Sequence, residues 1–137
     1  MSENRKPRVL LVDDEAHVRL YVRTVVSSLG FEVVAEAGDG RQALEKFEQV
    51  APDLVLLDLN MPVMDGMSTL KALRERSDEV AILMLTSLAS LDVVEECLDL
   101  GADYHLRKDL PVSELRQEIL EAWQAHVEDL QQGRDPA

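Results

Sequence analysis

Hydrophobic residues recur along this chain with two alternating periodicities. Short runs in which nearly every residue is apolar predict buried strands, whereas longer segments with apolar residues three or four positions apart predict helices with one buried face. The two kinds of segment alternate strictly, with five of each and short connections between them. The predicted strands are residues 9–12, 31–37, 54–57, 80–85 and 104–107, and the predicted helices are residues 15–29, 40–50, a segment ending near 76, 92–100 and 112–130.

Residues at the ends of these segments are of the types expected at boundaries. Gly30 and Gly101 follow predicted helices, where glycine readily takes the conformation that ends a helix. Asp39 can cap the helix that starts at residue 40, and Pro111 suits the start of the last helix. Pro52 interrupts the chain ahead of the third strand. These positions support the predicted segments.

Strict alternation of strands and helices is typical of βα units wound on a parallel sheet. Because parallel crossovers are right-handed and consecutive strands tend to be neighbours, few topologies are possible. We predict an α/β fold with five helices and a doubly wound five-stranded parallel sheet in the flavodoxin-like order 2-1-3-4-5. The 137 residues fit one such domain, which we place at residues 7–124, followed by a C-terminal helix extension and tail at 125–137.

Polar residues directly follow four of the predicted strands. Asp13 and Asp14 follow the first strand, Asp58 the third, Thr86 the fourth and Lys108 the fifth. Parallel strands end on the same edge of a sheet, so these side chains should converge where the first and third strands are adjacent. Carboxylates so close repel one another, and a hard cation that binds oxygen relieves that repulsion. The set therefore predicts a site for Mg²⁺, with Mn²⁺ as an alternative, and for a phosphoryl group.

Charge and composition narrow the classes of partner. The formal net charge of −13 repels DNA, RNA and anionic lipid, so we expect no direct nucleic-acid binding and no membrane association. The amino terminus is polar and no apolar run reaches membrane-spanning length, which predicts neither a signal peptide nor a membrane helix. The single cysteine, Cys97, cannot form an internal disulfide. Together these features predict a cytoplasmic protein.

Four motifs occur in a fixed order at the predicted strand ends. They are Asp13-Asp14-Glu15, Asp58 within Leu56 to Gly66, Leu85-Thr86-Ser87, and Gly101-Ala102-Asp103 with Lys108-Asp109. As an ordered set they are specific, and from Val9 to about Trp123 the chain resembles the receiver domains of two-component response regulators, chemotaxis receivers among them. Lys108 followed by Asp109, where many receivers have proline, is similar to receivers attached to LuxR-type regulators. One alternative is therefore a receiver fragment of a LuxR-type DNA-binding transcription regulator.

The resemblance implies a role for each site residue. Asp58 is expected to accept a phosphoryl group from a sensor histidine kinase or a histidine phosphotransfer protein. The chain would then be a signalling module rather than an enzyme, switching a surface of the fourth helix, fifth strand and fifth helix toward an unidentified protein effector. The other implied roles are Mg²⁺ binding by Asp14, Asp58 and the backbone carbonyl of Asn60, with Asp13 acting mainly through water, and phosphoryl contacts by Thr86, Ser87 and Lys108.

The switch position departs from the family pattern. Receivers usually carry Tyr or Phe three residues before the lysine, a ring that turns inward when the threonine moves, and this chain has His105 there. Strand alternation points the neighbouring Tyr104 to the opposite face. Our hypothesis is that Thr86 and His105 form the switch and that His105 brings pH dependence with it. The alternative is that His105 is only an edge-strand residue with weak coupling.

Two other classes compete with the receiver interpretation. Phosphatases of the haloacid dehalogenase type also use an Asp nucleophile and Mg²⁺, but they place a second Asp two residues later, where this chain has Asn60. A flavin binder on the same architecture would need a Gly-, Ser- or Thr-rich phosphate loop where this chain has carboxylates. Both are disfavoured by these residues.

The remaining expectations concern single residues and the last helix. Cys97 lies at apolar helical spacing and is expected to be a buried small hydrophobe, while His17 and His126 are expected to face solvent. An apolar Leu88 is expected to slow the approach of hydrolytic water. The last helix is longer than the strands it covers, so its final turns should overhang the sheet and could pair with a second copy or an effector.

Overall fold

The computed structural model describes residues 6–61, 63–87 and 90–132. The predicted alternation is confirmed, with strand and helix ends close to the expected positions. No helix among the described residues is both long and apolar enough to cross a membrane. The elements are β1 (Arg8–Val12), α1 (Ala16–Ser28), β2 (Glu32–Ala37), α2 (Gly40–Val50), β3 (Leu54–Asp58), α3 (Gly66–Arg76), β4 (Ala81–Thr86), α4 (Leu91–Asp99), β5 (Tyr104–Arg107) and α5 (Val112–Gln131).

The five strands form one parallel sheet in the order β2-β1-β3-β4-β5, as predicted. β1 and β3 are hydrogen-bonded neighbours, with Val12 opposite Leu57. Asp58 is opposite Leu85 in β4, and Thr86 is opposite Arg107 in β5. This register brings the residues that follow β1, β3, β4 and β5 to one edge of the sheet.

Side chains alternate between two cores because successive residues of a strand point to opposite faces. One core joins the sheet to α1 and α5, and it includes Leu11, Leu56 and Leu83. The other joins the sheet to α2, α3 and α4, and it includes Leu10 and Leu57. The central strands β3 and β4 are buried throughout, as is typical of a parallel sheet covered on both faces.

The predicted boundary residues act as expected. The Asp39 carboxylate accepts a hydrogen bond from the Gln42 backbone N–H at the start of α2. Gly30 and Gly101 have φ values of +84° and +111°, in the left-handed region that ends α1 and α4. Two further caps were not predicted: Asp65 accepts from Ser68 N–H and Ser90 from Val93 N–H.

The histidine expectations have different outcomes. His17 is exposed, with 78% of its side chain accessible, as predicted. The prediction that His126 faces solvent is wrong, because only 3% of that residue is accessible. Its ring stacks on Trp123 and lies within hydrogen-bond distance of the Glu79 carbonyl. Those contacts satisfy a polar ring inside the buried face of α5. Cys97 is fully buried, as expected.

α5 continues without a break past residue 124, so the expected C-terminal extension starts inside a helix. Its buried positions are Leu115, Ile119, Trp123 and His126, whereas Val112 and Leu130 at the two ends are partly exposed. Of the predicted extension and tail at 125–137, residues 133–137 lie outside the described part of the chain.

Candidate functional site

Three carboxylates meet at the C-terminal edge of the sheet. Asp13 and Asp14 follow β1, and Asp58 is the last residue of β3. One oxygen of each lies within 4.8 Å of the others. Asp13 and Asp58 are almost fully buried, while Asp14 is exposed. The predicted convergence of these three residues is therefore present in the fold.

Lys108 brings a positive charge into this cluster from the end of β5. Its Nζ lies 2.6 Å from Asp13 Oδ2 and 3.0 Å from Asp58 Oδ1. Its backbone N–H donates to the Thr86 carbonyl at 2.8 Å, which extends the β4–β5 ladder and directs the side chain along the edge. Burial by itself would lower the pKa of Lys108, but the hydrogen bonds and charges of Asp13 and Asp58 outweigh it and raise that pKa. The ammonium is therefore held in its charged form.

Asp58 is a buried carboxylate that ionises at an unusually high pH. Its pKa rises from 3.8 to about 6, chiefly because burial removes water from the charged form, with the nearby charge of Asp13 adding to the effect. Lys108 and the Asn60 backbone N–H oppose this rise. That N–H lies 3.3 Å from Asp58 Oδ1. Ionised Asp58 is thus present at neutral pH at a cost in free energy that a further cation would offset.

Asp13 is fixed by the chain around it. Its Oδ1 accepts from the Glu15 N–H at 2.9 Å, and its carbonyl accepts from Arg19 Nη1 at 2.6 Å. Its Oδ2 is completely buried and lies 2.6 Å from Lys108 Nζ. A buried carboxylate beside two other carboxylates suits a hard divalent cation. Three negative charges and one ammonium leave the cluster with net negative charge, which suits the same ligand.

The loop after β3 is packed tightly against the strand end. Leu59 N–H donates to the Leu85 carbonyl, and Gly66 N–H donates to the Leu59 carbonyl at 2.9 Å. A Cβ at Gly66 would overlap the Asp58 carbonyl and the Leu59 backbone. Glycine is therefore required for α3 to start this close to Asp58. The exposed Asn60 lies at the beginning of this loop.

Thr86 and Ser87 follow at the end of β4. Thr86 is fully buried and is hydrogen-bonded through its carbonyl to Lys108, while Ser87 is exposed. Leu88, for which an effect on hydrolysis is expected, lies outside the described residues.

His105 and Tyr104 point to opposite faces of β5, as alternation predicts. Tyr104 and Leu106 lie on the face of β5 that is covered by α5. Tyr104 is 41% exposed and lines a groove against α5, and Leu106 packs in the α1 and α5 core. His105 therefore lies on the face covered by α4, opposite Met84 of β4. Its Nε2 is buried and has no hydrogen-bond partner within the described part of the chain. Burial lowers the pKa of His105, so the ring is held neutral.

Sequence reasoning missed two features of the site. The sequence analysis expected Asp13 to act on the metal mainly through water and did not predict the ion pair between Asp13 and Lys108. It also overlooked Arg19 of α1. The Arg19 guanidinium donates to the Asp13 carbonyl and to the Glu36 carboxylate of β2. The only sequence signal for Arg19 is a basic residue in the first turns of the helix after the Asp pair, which is too common to identify it.

Comparison with known proteins gives one consistent family. A family model described as response regulator receiver domain matches residues 9–120. The chain is 39% identical over 95 residues to the chemotaxis protein CheY of Bacillus subtilis (strain 168), covering 69% of this chain and 79% of CheY. It is 40% identical over 115 residues to ycf27 of Porphyridium aerugineum, described as a probable transcriptional regulator, covering 84% of this chain but 47% of ycf27. This chain thus spans about half the length of that relative.

A solved structure agrees. The chain superposes on the crystal structure of the CheX-CheY-BeF3-Mg+2 complex from Borrelia burgdorferi with a TM-score of 0.81 and 29% identity. The superposition covers 85% of this chain and 88% of the other.

Proposed function

The chain belongs to the response regulator receiver domain family, and we propose that Asp58 is the residue on which it accepts a phosphoryl group. Phosphoryl acceptance is a function of this family. The observation that supports Asp58 is its place among the charged groups: a buried carboxylate between the Lys108 ammonium and two further carboxylates.

The proposed step is a simple displacement. An ionised oxygen of Asp58 attacks the phosphorus of a phosphohistidine, the P–N bond breaks, and the imidazole leaves with the bonding pair. Phosphoryl transfer depends on positioning and on neutralising negative charge more than on covalent assistance. Lys108, already 3.0 Å from Asp58, neutralises a phosphoryl oxygen as a point charge. The Thr86 hydroxyl donates to the phosphoryl group, and the small Ser87 leaves room for it.

Receiver domains use Mg²⁺ at an acidic pocket, and Asp13, Asp14 and Asp58 form such a cluster here. We assign direct binding of Mg²⁺, or Mn²⁺, to Asp14, Asp58 and the Asn60 backbone carbonyl, with Asp13 contributing mainly through water. The bound cation supplies positive charge to the phosphoryl oxygens. The closeness of the three carboxylates and the raised pKa of Asp58 both support a cation in this place.

Receiver domains interact with histidine kinases and phosphotransfer proteins, and we propose one of these as the donor. The output surface is proposed on α4, β5 and α5, toward a protein effector or a second copy of this chain. Leu91 and Leu98 support this, because they lie on one face of α4 at 72% and 44% exposure. His105, on the β5 face under α4, is the proposed partner of Thr86 in the switch.

The wider proposals follow from the family. We propose a cytoplasmic signalling module with no enzymatic output and no direct contact with nucleic acid or membrane. Residues 7–124 form its receiver domain and residues 125–137 its helix extension and tail. A receiver fragment of a LuxR-type DNA-binding regulator is the second candidate, favoured by Lys108 followed by Asp109.

Single-turnover labelling tests the proposal against a haloacid-dehalogenase-type phosphatase. The chain is incubated with acetyl phosphate and Mg²⁺, and bound phosphate is counted by intact mass spectrometry alongside release of phosphate from a phosphate ester. The expected result is at most one phosphoryl group per chain, no ester turnover, and loss of labelling in Asp58→Asn. Asp65→Asn is the matched control, since that carboxylate only caps α3. Sustained ester turnover would contradict the proposal.

A further inference from the structure

The peptide unit between Asp13 and Asp14 joins two of the three acidic residues of the proposed metal site. Its carbonyl oxygen, which belongs to Asp13, accepts a hydrogen bond from Arg19 Nη1 at 2.6 Å. A peptide unit is planar, so a contact that fixes this carbonyl also fixes the direction in which the chain enters Asp14. Asp14 is exposed, and its carboxylate is therefore positioned by the backbone that carries it.

Arg19 is held in one orientation by an ion pair to the neighbouring strand. Its Nε donates to Glu36 Oε1 at 3.1 Å, and Glu36 lies in β2 opposite Leu11 of β1. The other oxygen of Glu36 accepts from Arg23 Nη1 at 2.9 Å. The side chains of Arg19 and Glu36 are 22% and 27% exposed, so water only partly competes for this pair. Because the guanidinium is a rigid planar fork, fixing its Nε also fixes the direction of Nη1.

The turn between β1 and α1 depends on this contact because the start of α1 has no side-chain cap. Glu15 occupies the N-cap position, and its side chain makes no capping hydrogen bond. The Asp13 N–H donates to the Ala37 carbonyl, and Asp13 Oδ1 accepts from the Glu15 N–H. Arg19 therefore supplies a side-chain contact that ties α1 to the end of β1 at the point where the carboxylates begin.

We propose that Arg19 is a positioning residue for the divalent cation. It holds the Asp13–Asp14 peptide unit in the orientation that directs both carboxylates toward Asp58. This inference rests on the proposed function, because it concerns the metal site assigned there. Arg19 bonds to a backbone carbonyl and to Glu36, so it acts on the cation through Asp13 and Asp14.

Position and charge predict opposite effects for the loss of Arg19. The guanidinium is a positive charge close to the carboxylate cluster, so removal of its charge alone would strengthen cation binding. Loss of its hydrogen bond would instead free the Asp13–Asp14 peptide unit to turn and would weaken cation binding. Arg23 is the matched control, since it pairs with the same Glu36 carboxylate and, within the described residues, makes no bond to that peptide unit.

Titration with Mn²⁺, followed by electron paramagnetic resonance of the free ion, measures cation affinity without phosphoryl transfer. Arg19→Gln should weaken Mn²⁺ binding by about 10-fold, the lower end of the usual effect of a residue that orients metal ligands. Arg23→Gln removes a more exposed charge and should bind within about twofold of the wild type. The double variant Arg19→Gln with Glu36→Gln keeps the net charge unchanged and should show the same loss as Arg19→Gln. Equal or tighter binding by Arg19→Gln would overturn the proposal.

Asp14→Asn separates this proposal from the proposed function. The wild type should bind Mn²⁺, and Asp14→Asn should bind it more weakly because Asp14 is an assigned ligand. A wild type without Mn²⁺ binding would overturn the metal site and this proposal together. Weakened binding in Asp14→Asn with unchanged binding in Arg19→Gln would overturn this proposal alone.

Amide hydrogen exchange of the metal-free chain distinguishes positioning from general stability. In Arg19→Gln the Asp13 and Glu15 amides should exchange about 10-fold faster than in the wild type, while the Leu56 amide in the centre of β3 keeps its rate. Loss of stability throughout the fold would accelerate the Leu56 amide as well. Equal acceleration of all three amides would show a merely structural role and would overturn the proposal.

Arg19→Lys keeps the test decisive if Arg19→Gln does not fold. Lysine keeps the positive charge, but its ammonium lacks the planar fork that reaches the Asp13 carbonyl and Glu36 together. Binding of Mn²⁺ should therefore be several-fold weaker than in the wild type. Wild-type affinity in Arg19→Lys would refute the proposal.

Discussion

Replacing Asp58 with Asn should stabilise the metal-free protein, although Asp58 is the proposed phosphoacceptor. The ionised carboxylate is buried beside Asp13, and its pKa rises from 3.8 to about 6. At about 1.36 kcal/mol per pH unit, ionisation of Asp58 in the folded chain costs about 3 kcal/mol more than in the unfolded chain. Asn has nearly the same shape and can still accept the hydrogen bond from Asn60 N–H.

The sign of this contribution follows from proton uptake. Between pH 3.8 and about 6 the folded chain binds a proton at Asp58 that the unfolded chain has already released. Stability from this group therefore falls as pH rises through that window, and the full loss is present above about pH 6. The Asp58→Asn substitution removes this loss, and the pKa of about 6 already includes the opposing attraction of Lys108. We expect a net gain of about 1–3 kcal/mol at pH 8 and little gain near pH 4.

Urea unfolding of wild type and Asp58→Asn without divalent cations, at both pH values, measures the effect. Asp65→Asn is the control, because Asn caps a helix nearly as well as Asp and the change in unfolding free energy should be within about 0.5 kcal/mol. Addition of Mg²⁺ should stabilise the wild type, whose carboxylate cluster is intact, but not Asp58→Asn. It should therefore reduce the difference in unfolding free energy between the two. An Asp58→Asn variant less stable than the wild type at pH 8 would show that the ionised Asp58 carboxylate does not destabilise the metal-free fold.

Substitutions at three further positions test other parts of the structure. Lys108→Met leaves Asp13 and Asp58 buried without their counter-ion. It should lower the free energy of unfolding, measured in urea at pH 7, by about 3–5 kcal/mol. An unfolding midpoint equal to that of the wild type would contradict this. Gly66→Ala should lower the free energy of unfolding by about 1–3 kcal/mol, because the added Cβ overlaps backbone atoms. In the control Gly38→Ala the added Cβ is 3.7 Å from its nearest atoms, so the change should be nearly neutral. Equal effects of the two substitutions would contradict this. His105 has a pKa lowered by burial, so its stabilising contribution is present above its ordinary value of 6.5 and declines as pH falls, a dependence that His105→Phe should remove. In the switch hypothesis, His105→Ala also weakens the NMR shifts induced by beryllofluoride, and an unchanged response would reject that role.

The fold and the carboxylate cluster could be predicted from the sequence because both depend on local patterns. Apolar runs such as 54–57 bury a strand wherever the sheet has two covered faces, and strand order follows from the alternation. Asp13 and Asp58 each lie at the end of a strand, so parallel pairing alone brings them to one edge. The position of the strands thus determines the position of the charges.

Contacts between residues distant in sequence could not be predicted in the same way. His126 is 47 residues from the Glu79 carbonyl it contacts, and nothing in its helical position distinguishes a buried imidazole from an exposed one. Arg74 is similar, since its partners lie in the connections before β4 and β5. Backbone carbonyls and packing geometry determine these contacts, and neither has a residue-type signature. His105 is intermediate, because alternation predicted its face but not the buried Nε2 that has no partner among the described residues.

Mapping of the phosphorylated residue shows directly whether Asp58 is the phosphoacceptor. The chain is phosphorylated with acetyl phosphate in the presence of Mg²⁺, the acyl phosphate is reduced with borohydride, and the modified residue is identified by peptide mass spectrometry. Reduction is expected at Asp58 alone, dependent on the divalent cation and absent without the phosphodonor. Modification at Asp13 or Asp14 instead, or labelling of the Asp58→Asn variant to the wild-type level, would contradict it.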